Sequence, residues 1–201
     1  MAVEVARVPL LEAARPLLDA FARMPRELDE TQLDAFYRAL VHEVISFQSV
    51  CQDARIPSDY IVAASYMLCT ALDEAAGNSI WGKASESAAQ IWAGRLAVRF
   101  HSDNKGGLGV FRIVGFLSSQ PQKHLDLLEL VLLVLALGFQ GIYRDARNGR
   151  RVLDSIRRQI YSLVYLGRGA DPAPRWVAIE RLLRGDGLAD VLAEITPDLF
   201  S

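Results

Sequence analysis

The sequence predicts an all-α protein, and three observations carry that prediction. Apolar residues recur at helical spacing along nearly every segment, no stretch alternates as a half-buried strand does, and the breaks between segments carry helix start and stop signals. In chain order, Asp29 or Thr31 caps a long helix reaching about Arg55, with Leu33, Phe36, Leu40, Val44 and Phe47 on one face. Pro57 breaks the chain, and Ser58 is an N-cap candidate for "DYIVAASYMLCTALDEAAG", which is apolar almost all round and stops at Gly77-Asn78. A loop carrying Trp81 and Gly82 leads to a helix from Ser85 to Phe100 that aligns Ala88, Trp92, Leu96 and Phe100. "HSDNKGGLG" reads as a loop, followed by a shorter helix from about Val110 to Ser118. Pro121 opens a helix ending at Gly138. "RDARNGR" is a polar loop, and Val152 to Leu166 forms an amphipathic helix with Leu153, Ile156, Ile160, Leu163 and Val164 on its stripe. The expected division is a helical domain over residues 1–167, then a linker and short helical tail over 168–201.

Composition narrows the function classes. The chain is 51% hydrophobic and 23% charged with a net charge of −2, so it has the means to build a core and no basic surplus for nucleic acid or an acidic membrane. Its N-terminus lacks the basic leader of a signal peptide, and Glu4, Glu12, Arg15 and Asp19 interrupt its apolar runs. "LDLLELVLLVLALGFQGIYR" is the most apolar stretch, but Gly138, Gln140 and Gly141 end it short of the roughly 20 residues a membrane span needs. It therefore reads as a central bundle helix. Cys51 and Cys69 fall within apolar helical patterns and read as reduced core thiols.

Little of the sequence suggests catalysis. His42, His101 and His124 lie far apart with no partner at metal-ligand spacing, so no metal site is expected. "GKAS" at Gly82–Ser85 lacks the earlier glycine of a phosphate loop, and "GGLG" at Gly106–Gly109 follows no strand, so neither cradles a nucleotide. The cluster "YRDARNGRR" holds four arginines, but Asp145 and the absence of interleaved aromatics suit a solvated loop with carboxylate partners. Glu129, on or near a buried face, calls for an ion-pair partner such as Arg144 or an arginine of the following helix. Asp73-Glu74 lie in the last turn of a helix, where the dipole disfavours carboxylates by about 0.3–1 kcal/mol each. Either basic groups within the protein compensate them, or they face a binding cleft.

Four motifs taken together resemble a known family: "ALDEAAGNSIWG" (Ala71–Gly82), Trp92, "FHSDNKGGLGVF" (Phe100–Phe111) and the apolar stretch with its LGF-x-G-x-YR element. They look like the TssL family, also called DotU or IcmH, accessory proteins of bacterial type VI and type IVb secretion systems. The resemblance runs from about Leu33 to Leu166, and "GRRVLDSIRRQIY" also fits it. It implies two small three-helix bundles in a hook-like arrangement, no enzymatic activity and no cofactor. It also implies a place on the cytoplasmic face of the inner membrane, with a TssM/IcmF-type membrane protein and a TssK-type baseplate protein as partners, and self-association as a further option. Relatives carry a C-terminal membrane anchor. Here Glu180, Arg181, Arg184, Asp186, Asp190 and Glu194 interrupt the tail, so either the chain stops before an anchor or the tail replaces one. Val110 stands where many relatives have a second phenylalanine beside Phe111. The resemblance makes Trp92, Phe100, His101, Gly107, Phe111, Glu129, Gly138, Phe139, Gly141, Tyr143 and Arg144 structural signature residues, and it turns Asp73, Glu74 and Trp81 into candidates for a partner-binding cleft. The rival expectation is a helical sensor with the Trp81/Trp92 region lining a ligand pocket.

Overall fold

The structure, a computed structural model, describes residues 9–81, 92, 95–103 and 106–168. Helix α1 (Pro9–Ala22) turns Leu10, Leu11, Ala14, Leu17, Leu18 and Phe21 inward. Its interior Pro16 has no N–H for the carbonyl of Glu12, a local defect that hides this helix in the sequence and that burial of the apolar stripe offsets. Helix α2 (Glu30–Asp53) starts at a capping box: Gln32 N–H donates to Asp29 Oδ1 at 2.8 Å, and Asp29 N–H donates to Gln32 Oε1 at 3.0 Å. Leu33, Leu40, Val44 and Phe47 are buried as the stripe predicts, with Phe36 half-buried.

Helix α3 (Ser58–Asn78) is the centre of the molecule. Pro57 takes the cap position and Ser58 is the first helical residue, because the Pro57 carbonyl already receives the N–H groups of Tyr60 and Ile61. Every residue from Ala64 to Leu72 is buried. The middle of helix α3 is therefore covered all round, as its sequence predicts, while its ends carry exposed residues such as Val62 and Asn78.

Two departures follow. The helix expected from Ser85 to Phe100 is not continuous at its end: a separate short helix, α4 (Leu96–His101), starts at Leu96, while residues 82–91 lie outside those described. Helix α5 (Gly106–Ser119) begins four residues before the expected Val110, so the glycines of "GGLG" are helical. Gly107 and Gly109 are small because neighbours crowd them. A methyl group on Gly109 would sit 2.0 Å from the Tyr66 hydroxyl oxygen, and one on Gly107 would sit 3.1 Å from Gly141 Cα.

The apolar stretch resolves into a 3-10 turn (Pro121–Lys123), helix α6 (Leu125–Ala136) and a second 3-10 turn (Gly141–Tyr143). Residues 125–143 have a mean hydropathy of 2.0 and pass a length-and-composition test for a membrane span. The helix itself holds 12 residues, however, about 18 Å of rise against a hydrocarbon layer of roughly 30 Å. Leu130 to Ala136 are all buried against neighbouring helices. It stops because Gly138 takes φ +109 and Phe139 N–H turns back to the Val134 carbonyl. Helix α7 (Gly149–Arg168) buries Leu153, Ile160 and Val164 along the predicted stripe.

Helices α1, α2 and α3 pack on one another; α6 packs on α5 and on α7. Helix α3 also touches α4, α5 and α6, so the two groups of three helices share one core. Cys51 and Cys69 are free and buried, and burial pushes their thiols up to about 11 and about 12. The tail, residues 169–201, lies outside the described residues.

Candidate functional site at the end of helix α3

The last turns of α3 place Asp73 and Glu74 side by side but aim them at different parts of the chain. Asp73 accepts the Leu96 N–H through Oδ1 and the Ala97 N–H through Oδ2, both at 2.9 Å. It thus caps α4 across tertiary space, which is why that helix starts where no local N-cap stands. Burial raises the Asp73 carboxyl to about 6, opposed by the same two N–H groups and by nearby Arg95.

Glu74 closes the LGF turn. Its Oε1 accepts the Gln140 N–H at 2.8 Å, and its Oε2 accepts the Gly141 N–H at 2.7 Å and lies 3.1 Å from the Arg144 guanidinium. Gly141 takes φ +53, a conformation glycine adopts without strain, and this lets successive N–H groups converge on the carboxylate. The charge anomaly read from the sequence is thereby compensated from within: each carboxylate satisfies orphan backbone donors, and Glu74 adds a cation.

Of the signature residues, Phe111, Phe139 and Tyr143 pack together at this turn, and Trp92, Phe100, His101 and Glu129 make their contacts elsewhere. Phe111 stacks on Phe139 with centroids 6.0 Å apart and meets Tyr143 edge-on at 4.7 Å. Trp81 donates its indole N–H to the Pro25 carbonyl at 2.9 Å and packs against Trp92, which Tyr37 also contacts. Both tryptophans are buried, at 5% and 7% exposure, and line none of the clefts described below. Glu129 pairs with an arginine of the following helix, Arg168, at 2.8 Å, while Arg144 goes to Glu74. His101 hydrogen-bonds through Nε2 with the buried Ser65 hydroxyl at 3.0 Å, which Gln48 also reaches, and burial holds its pKa down. Phe100 is half-buried beside it, with Arg99 over its ring.

Two further clefts frame the α3 helix, and sequence reasoning did not single out most of their residues. One, about 410 Å³, lies where the α1–α2 connection meets the end of α3 and the LGF turn; Met24, Arg26, Glu74, Asn78, Ile80 and Gly138 line it. The other, about 690 Å³, lies between α3 and α5, with Val62, Tyr66, His101, Asp103, Arg112 and Ile113 on its walls. A third, about 310 Å³, separates α1 from α2. Within the second cleft Tyr66 donates its hydroxyl to Asp103, so its polar wall is already bonded within the protein. No group of three or more potential metal ligands occurs among the described residues.

Fold and site together define a class: an all-helical domain whose distinctive polar residues brace backbone turns around a shared central helix. The chain belongs to the DotU family: the family described as "Type VI secretion system protein DotU" matches residues 9–186. Among solved structures it is similar to TssL from Vibrio cholerae, with a TM-score of 0.69 and 25% identity over 80% of this chain and 99% of that one. The cytoplasmic domain of TssL from Acinetobacter baumannii shares the fold at a TM-score of 0.63 and 20% identity, covering 78% of this chain and 99% of that one. No curated protein matches it.

Proposed function

We propose that this chain is a structural docking component of a type VI secretion system. In this reading it lies on the cytoplasmic face of the inner membrane and links a TssM/IcmF-type membrane protein to a TssK-type baseplate protein, without enzymatic activity. In the same reading residues 1–167 are the helical domain and residues 168–201 a linker and short tail. The observation that carries the reading is the cleft at the end of α3, since residues of two family motifs meet there: Glu74, Asn78 and Ile80 from the first, Leu137 and Gly138 from the LGF element. Ile80, 56% exposed, and the charged Arg26 both line it, a mixture of apolar and charged groups that protein interfaces use. Asp73, Glu74 and Trp81 serve binding by holding the walls of this cleft in place.

The test is a titration of the cognate TssM-type cytoplasmic domain and the cognate TssK-type protein against wild type and Asn78→Arg/Ile80→Arg. Both substituted residues are exposed, so circular dichroism and melting should stay near wild type. Loss of binding to either protein supports the cleft. Binding by wild type that the double variant retains in full moves the interface elsewhere, and no binding by wild type to either protein defeats the docking reading.

A further inference from the structure

The basic segment after the LGF turn holds charge that the described residues leave uncompensated. Between residues 144 and 158 there are six arginines and two aspartates, in a chain whose net charge is −2. Arg144 is engaged by Glu74, and Arg157 by Asp154 and the Leu135 carbonyl. Arg147, Arg150 and Arg151 are exposed, and none has an ion pair among the described residues. Arg150 and Arg151 also stand in the first turn of α7, which contains no acidic residue, so they face the positive end of the helix dipole. The proximity of Arg150 adds to the burial that holds Arg157 below its usual pKa, a sign of cation crowding. At the end of α3 the fold answers unfavourable charges from within; here the described residues do not.

Two exposed aliphatic side chains adjoin the segment. Ile142 is 46% exposed and Leu108 is 41% exposed. They sit on backbone segments that touch, since a methyl group on Gly107 would lie 3.2 Å from the Ile142 nitrogen. Exposed aliphatic side chains close in the chain to unpaired arginines have the composition of a protein interface, and the planar guanidinium matches a carboxylate with two parallel bonds. Asp145, exposed within the same segment, interrupts the positive charge, which disfavours a rigid phosphate ladder or a uniform headgroup layer more than carboxylates on a chain that can arrange itself around it. Tyr143, the nearest aromatic, is half-buried and edge-on to Phe111, leaving no free platform for a base.

We infer that Arg147, Arg150 and Arg151, with Ile142 and Leu108, form a docking surface for an acidic protein partner whose carboxylates take the guanidiniums. This rests on the docking reading above and adds the chemistry of one partner surface, distinct from the α3 cleft.

The experiment compares wild type, Arg147→Glu/Arg150→Glu/Arg151→Glu and the corresponding triple lysine variant, all confirmed folded by circular dichroism. The probes are the cognate TssM-type domain, the cognate TssK-type protein, polyglutamate, duplex DNA and phosphatidylglycerol vesicles. One of the two proteins should bind wild type in a salt-sensitive way, and the glutamate variant should bind it about tenfold or more weakly. The lysine variant should fall between them, because it keeps charge and loses the bidentate geometry. Polyglutamate should follow the same order. Undiminished binding of both proteins by the glutamate variant overturns the inference and leaves the docking reading intact. Tighter, charge-reversal-sensitive binding of DNA or vesicles than of polyglutamate overturns it in favour of a phosphate surface. If wild type binds neither protein the docking reading fails, and polyglutamate still decides the surface: no binding, or binding unchanged by reversal, overturns the inference.

Discussion

Replacing Glu74 with glutamine keeps the length of the side chain and removes one acceptor and one charge. In the structure the two carboxylate oxygens receive Gln140 N–H and Gly141 N–H at 2.8 and 2.7 Å, with the side chain only 11% exposed. Glutamine can accept one of those donors, and its own NH₂ faces the other. Losing a charge-assisted bond and orphaning a partly buried N–H costs about 1.5–3 kcal/mol. The Arg144 pair adds about 1 kcal/mol at most, because that guanidinium is 34% exposed and solvent screens it. The expected loss is therefore about 2–4 kcal/mol, a drop in Tm of roughly 5–15 °C for a chain of this size. Urea and thermal unfolding measure it, and a double-mutant cycle with Arg144→Gln should return a coupling of about 1 kcal/mol or less. Stability within about 0.5 kcal/mol of wild type would refute the view that Glu74 closes the LGF turn. So would a coupling that accounts for most of the loss, since the backbone donors would then contribute little. Partner affinity, measured where both proteins are folded, separates the roles: affinity lost without stability lost would mean the carboxylate itself touches the partner.

The remaining predictions use the same structure. Asp73 binds its proton more tightly in the folded chain, at about 6 against 3.8, so its contribution to stability is largest below that window and falls as pH rises through it. The stability of wild type minus that of Asp73→Asn should decline by up to about 3 kcal/mol between pH 4 and 6, and a flat difference would count against the burial. Gly77→Ala and Gly149→Ala should have opposite signs in chemical denaturation. At Gly77 nothing lies within 4 Å of an added methyl, so alanine should stabilise α3 by about 0.5–1 kcal/mol; at Gly149 the methyl would meet the Tyr143 carbonyl oxygen at 1.8 Å, costing about 1–3 kcal/mol or more. Arg168→Met withdraws the guanidinium shared by Asp126 and Glu129 at 2.7 and 2.8 Å and should lower stability by about 1–3 kcal/mol. Equal melts for the two proteins would exclude that anchoring.

Periodicity made most of the helices legible because burial on one face needs no knowledge of the partner. The α2 and α7 stripes lie where spacing puts them, and Glu129 found an arginine on the following helix because an internal charge must be paired. The misses share a different physics. Helix α4 starts at Leu96 because a carboxylate 23 residues earlier caps it, and no local residue signals that. The glycines at 106–109 look like a loop, yet they are helical, and Gly107 and Gly109 are glycine because Gly141 and Tyr66 leave little room for a side chain. Helix α1 tolerates Pro16 since its packing outweighs one missing backbone bond.

The same distinction separates the two charge anomalies of this chain. Carboxylates oppose the dipole at a helix end, which left Asp73 and Glu74 open to internal compensation or to a binding cleft, and backbone N–H groups from α4 and from the LGF turn bond to them. Their first consequence is architectural: one turn of α3 fixes the start of α4 and the exit from α6, and so sets the walls of the cleft beside it. Sequence cannot distinguish such a carboxylate from one awaiting a partner, because its donors come from residues 23 and 67 positions away. For an arginine the count runs differently. A guanidinium only donates, and the N–H groups exposed at a helix start cannot serve it. Arg150 and Arg151 therefore need carboxylates or carbonyls from outside their own turn, and none of the described residues supplies an ion pair to either. A charge that opposes its helix dipole becomes a candidate for function only once internal partners have been counted. By that criterion the weight moves from the acidic end of α3 to the basic start of α7.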